Sequence, residues 1–140
     1  MITIKQAALG AAAGIAATFI MQGLLEQGQK HLPEGTPPIK KDPGEFMIEK
    51  LKPLAAKSMH LGYGMTAGML YGLLPHSRWR TLEGVALGLG VWAAGYLGWL
   101  PATKLMPPLT EQTPAQITVP VVQHALFGVA VAKAFEAMAA

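Results

Sequence analysis

Four stretches of this chain contain no Asp, Glu, Lys or Arg: Gln6 to Leu25, Ser58 to Ser77, Gly84 to Thr103 and Gln112 to Ala132. Each is close to the roughly 20 residues that a helix needs to cross a hydrocarbon core. All 11 basic and all 8 acidic residues lie outside them. In lipid, every backbone amide must find its partner within the segment, so spans of this length are expected to be helices. The segregation predicts an all-α integral membrane protein, a single domain over residues 1–140, with spans near 6–25, 56–75, 83–102 and 115–135. Charged residues make up 14% of the chain, against about 25% in an average soluble domain. The competing reading is a soluble bundle with Ala-rich core helices. A water-soluble fold this short needs charge to stay dispersed.

The net charge of +3 does not point to nucleic acid. Lys and Arg are scattered over helix ends and one loop that also holds acids, the pattern of chains facing lipid headgroups. There is no cysteine, which removes disulfides, thiolate metal sites and a Cys nucleophile. The first apolar run follows Lys5 but has no polar cleavage region after it, so it is expected to stay as a helix rather than leave as a signal peptide.

Within the spans, glycines recur four residues apart: Gly10 and Gly14; Gly64, Gly68 and Gly72; Gly84 and Gly88. Lipid supplies no hydrophobic drive between helices, and small residues at this spacing let backbones approach closely instead. These seven are the expected packing positions. Helix 1 is expected from about Thr3 to Gln29, helix 2 from Pro53 to Leu74, helix 3 from Thr81 to Leu100 where Pro101 ends it, and helix 4 from Pro114 to Ala137. Pro120 inside helix 4 frees the carbonyl of Gln116 and predicts a kink or a late start. The first connection, 31–57, is proline-rich, and its part from Pro43 to Lys57 has the spacing of an amphipathic helix, either lying in the membrane interface or capping the bundle. The expected architecture is a four-helix up-down bundle with helices 2 and 3, which have the shortest connection, as antiparallel neighbours. Basic residues fall on both sides, Lys5, Arg78, Arg80 and Lys133 against seven lysines on the other, so orientation stays open.

Two histidines fall inside spans, His60 in helix 2 and His124 in helix 4, on helices that run in the same direction. At a rise of about 1.5 Å per residue, their depths differ by only about 5 Å. Ionisable residues in lipid are costly and mark functional candidates. The pair could ligate haem or a chlorophyll-type pigment metal, or relay protons or ions together with Glu26 at the end of helix 1. It could equally make structural hydrogen bonds to backbone or Gln123. No catalytic constellation is present: there is no nucleophile elbow, phosphate-binding glycine loop, metalloprotease motif or carboxylate pair within a span.

Several features together resemble one family. They are the His60-led helix ending at Tyr71 and Gly72, the turn with Trp79, and the Gly84 and Gly88 helix. To these add "GWLPATKLMPPL" with Pro101, Pro107 and Pro108, "HALFG" at His124 to Gly128, and the exit loop "LPEGTPP" at Leu32 to Pro38. This set resembles the YagU-like inner-membrane proteins of bacteria over most of the chain. The resemblance implies a bacterial cytoplasmic-membrane location and importance for His60 and His124, and supplies no reaction. The chain is shorter than that family in its first loop and at its C-terminus. The function expected is a small non-enzymatic membrane protein, an accessory or scaffold subunit of a larger complex or a self-associating bundle, with lipids and other membrane subunits as partners. The alternatives are a haem- or pigment-binding subunit and a small proton or ion channel or transporter.

Overall fold

The structure is a computed structural model that describes residues 3–29, 53–104 and 107–140, with backbone alone for 25–29 and 53–59. Every regular element among the described residues is helical. The long helices are α1 (Ile4–Gln29), α2 (Pro53–Leu73), α3 (Arg80–Ala93) and α4 (Pro114–Ala139). Helix α3 runs on through a π-helical segment, Ala94–Trp99, and a helical turn, Leu100–Ala102. A 3-10 turn at Leu109–Glu111 precedes α4. The amphipathic stretch expected at 43–57 falls outside the described residues up to 52, and its end, 53–57, is the start of α2.

Three helical stretches among the described residues are long and apolar enough to cross a membrane: Ile4–Leu24, Arg80–Ala102 and Pro114–Ala139. The fourth expected span lies on α2, whose described side chains run only from His60 and are too few to count among them. Large apolar side chains face outward on all four helices. Phe19, Ile20, Leu70, Leu82, Leu97, Val122 and Leu126 are each about half exposed or more. A monomer in water rarely shows so much contiguous apolar surface; acyl chains would cover it at no cost.

Glycine spacing dictates which helices meet. Helices α1 and α2 pack antiparallel, with Gly10 against Gly68 and Gly72, and Gly14 against Gly64 and Gly68. A Cβ on Gly68 would meet the carbonyl of Gly10 and come within 2.6 Å of the Gly14 backbone. Helices α3 and α4 form a second antiparallel pair, with Gly84 against Gly128 and Ala132, and Gly88 against the His124 carbonyl. Gly23, Gly62, Gly90 and Gly98, off these seams, face open space. The two pairs join where α1 meets α4, around the buried Ala13, Ala17, Tyr71, Val131, Ala132 and Phe135.

Helices α2 and α3, expected as neighbours from their short connection, touch only marginally. The reason is that the small-residue face of α2 is taken by α1 and that of α3 by α4, so seam complementarity overrides connection length. Pro101 does not end helix 3 either. It has no N–H to give and its ring crowds the preceding turn. The ladder answers by slipping to five-residue bonds, with the Leu100 amide donating to the Gly95 carbonyl, and the helix continues to Ala102. At the other proline, α4 starts at Pro114 and runs without a break through the fully buried Pro120. Its start is set by a capping box, in which the Thr113 hydroxyl accepts from the Gln116 amide and the Gln116 side chain accepts from the Thr113 amide.

Candidate functional site

Marginal contact between α2 and α3 leaves a cleft between the helix pairs, of about 170 Å³. Its walls come from every long helix: Thr18, Met21 and Gln22 of α1, His60, Tyr63 and Gly64 of α2, Val91 of α3, and Gln123, His124 and Phe127 of α4. His60 and His124, the two histidines expected within spans, therefore line one space. The cleft is mainly apolar in its walls, with a few polar groups converging on it, the usual make-up of a small-ligand site.

The His124 ring is held on two sides. Its Nδ1 lies 2.8 Å from the Pro120 carbonyl, and the Tyr96 ring meets it edge-on, with centroids 5.9 Å apart. A carbonyl only accepts, so Nδ1 carries the proton as donor and Nε2 of the neutral ring keeps a free lone pair. Tyr96 is itself stacked on Trp92 at 6.0 Å. Both aromatics flank or belong to the π-helical segment, whose extra residue per turn aims Tyr96 at α4. On the opposite wall, the Thr18 hydroxyl donates to the Gly14 carbonyl at 2.8 Å and occupies the place a side chain at residue 64 would take. Gly64 thus opens the cleft as well as closing the seam. His60 is exposed where it lines the cleft.

Glu26 lies on the last described turns of α1, and its side chain falls outside the described residues. All seven glycines singled out by spacing, Gly10, Gly14, Gly64, Gly68, Gly72, Gly84 and Gly88, meet backbone or side chains of a neighbouring helix within the chain. Gly128 completes the α3–α4 seam; its small partner four residues on is Ala132, a weaker spacing signal than the paired glycines of the other helices. Among the described residues no group of three or more His, Asp or Glu gathers to hold a metal ion.

A second polar centre at the opposite end of the helices was not anticipated. In the turn after α2, the Nδ1 of His76 lies 3.0 Å from the Glu83 carboxylate of α3. The same carboxylate accepts from the Ser77 amide at 2.8 Å. The Tyr71 hydroxyl donates to the Arg80 carbonyl at 2.9 Å and ties the end of α2 to the start of α3. The available signal was a single acid, Glu83, in the first turn of a helix whose other charge is Arg80, seven residues after a histidine. Between this end and the His60–His124 cleft lies the closed core of Ala13, Ala17, Tyr71 and Val131, each fully buried. No family model matches the chain, and neither a curated protein nor a solved structure matches it.

Proposed function

We propose that this chain is a four-span, up-and-down protein of the bacterial cytoplasmic membrane, related to the YagU-like proteins, that acts without catalysis as an accessory subunit. Its receptor is the His60–His124 cleft, which takes a small apolar ligand, or a partner's apolar side chain, with a hydrogen-bonding head. The observation that carries this is the meeting of both intramembrane histidines on one apolar-walled space of about 170 Å³. Intramembrane ionisable groups persist where they do work. The fully buried core between the two polar ends supports holding rather than conduction. Partner subunits or further copies would bind through outward side chains such as Leu82 and Leu97, because the glycine seams are engaged within the chain.

The test is to purify the protein from its native membrane in mild detergent and identify co-purifying molecules by native mass spectrometry. A ligand or partner retained by the wild type and lost from His124→Leu and His60→Leu is expected. A wild-type particle that carries nothing would refute the reading.

A second reading has one observation in its favour. The bond from Nδ1 of His124 to the Pro120 carbonyl fixes the ring as imidazoles are fixed in metal sites, with the other nitrogen free to ligate. Nε2 would then be the atom that holds the metal of haem or a chlorophyll-type pigment. The cleft is smaller than the roughly 300–1,000 Å³ of pockets that enclose drug-sized ligands, so such a group would stand mostly outside it, in lipid. A visible absorption band in the purified protein that His124→Leu abolishes would favour this reading over the first.

A further inference from the structure

The end of the molecule remote from the cleft holds a second cavity, of about 570 Å³. Thr3 just before α1, Lys5 and Gln6 of α1, His76 of the α2–α3 turn, Arg80 of α3 and Phe135 of α4 are among its lining residues. Two cations and a histidine line it, and no carboxylate does among the described residues. Lys5 and Arg80 are exposed and have no ion-pair partner among the described residues. The His76 side chain is only 7% exposed, packed between the rings of Tyr71 at 4.5 Å and Phe135 at 5.1 Å. Its Nδ1 is committed to Glu83, and its Nε2 is buried with no hydrogen-bond partner among the described residues. A buried polar nitrogen without a partner is costly and asks for one.

We propose that this cavity is a binding site for a phosphate group. Lys5 and Arg80 supply the charge, Arg80 being suited to paired hydrogen bonds with phosphate oxygens. His76 supplies the selective contact: with Nδ1 held on the Glu83 carboxylate, its buried Nε2 is the polar atom that a phosphate oxygen reaching it from the cavity would satisfy. The site lies where the start of α1, the end of α2, the start of α3 and the end of α4 meet, which for a spanning chain is the headgroup layer. The exposed Trp79, with the Arg78 guanidinium 5.0 Å over its ring, marks the same level. The phosphate can therefore come from an anionic phospholipid or from solution. The proposal is independent of the His60–His124 cleft.

The test uses the full chain in mild detergent, titrated with short-chain phosphatidylglycerol or with inorganic phosphate, and followed by native mass spectrometry and thermal unfolding. One bound phosphate species per chain is expected, with affinity reduced on the order of tenfold or more in Lys5→Gln/Arg80→Gln. Both residues are exposed, so this variant retains the fold. His76→Gln should weaken binding further, while the control Lys104→Gln/Lys133→Gln should bind as the wild type. Binding of the phospholipid without competition from inorganic phosphate identifies a headgroup site. Competition by inorganic phosphate identifies a site for the soluble anion. If neither probe binds, or if Lys5→Gln/Arg80→Gln binds both as the wild type does, the proposal is overturned.

Discussion

At Gly68 the backbone of α2 lies so close to α1 that a single methyl group has nowhere to go. Gly68→Ala is therefore expected to cost about 3 kcal/mol or more, the upper part of the range for overpacking. Gly90→Ala, on the same type of helix but facing open space, should instead gain about 0.5–1 kcal/mol from the reduced freedom of the unfolded chain. Thermal unfolding of both variants in detergent checks the contrast, and equal effects would mean that the seam is not closed as described. Lys104 sits at φ 59°, in the left-handed region, just past the turn that follows α3. Lys104→Gly should raise the melting temperature by relieving roughly 1 kcal/mol of strain. At this scale the glycine seams were legible, because four-residue spacing in an apolar run has few other meanings. His76 was not. It lies in a proline-bounded turn that reads as surface, and its burial depends on Phe135, which arrives from the far end of the chain.

Among the elements, helix positions followed from where charge stops, since Lys5, Glu26, Lys57, Arg78, Glu83, Lys104, Glu111 and Lys133 bracket the uncharged runs. Helix partners did not follow, because connection length is a weaker force than backbone-to-backbone fit. The π-helical segment was also hidden. A proline reads in sequence as a stop, and whether the ladder breaks or slips depends on packing around Trp92, Tyr96 and Leu100. Pro101→Ala restores the missing amide and should let Ala94–Trp99 return to four-residue bonds. That would rotate Tyr96 away from His124. The expected readouts are a change in tryptophan fluorescence from the Trp92–Tyr96 stack and weaker retention of whatever the cleft holds. An unchanged spectrum and unchanged retention would show that the segment does not depend on Pro101.

For the molecule as a whole, outward-facing Phe19, Leu70, Leu82 and Val122 predict that the expressed chain stays with the membrane through alkaline carbonate extraction. It should leave only with detergent. Recovery in the aqueous fraction as a folded monomer would remove the basis for the spanning arrangement. The closed core also predicts no leak: liposomes containing the protein should hold a proton gradient as well as empty ones do, and dissipation of the gradient would revive conduction past His60 and His124.

The marginal α2–α3 contact has a mechanical consequence. Each helix pair is joined by a glycine seam, and the two pairs meet mainly where α1 lies on α4. Bending there would open the gap between α2 and α3 while leaving both seams intact. If the cleft holds a ligand as proposed, the volume beside His124 would be set by how far the two helix pairs stand apart, and a guest larger than about 170 Å³ would require them to part.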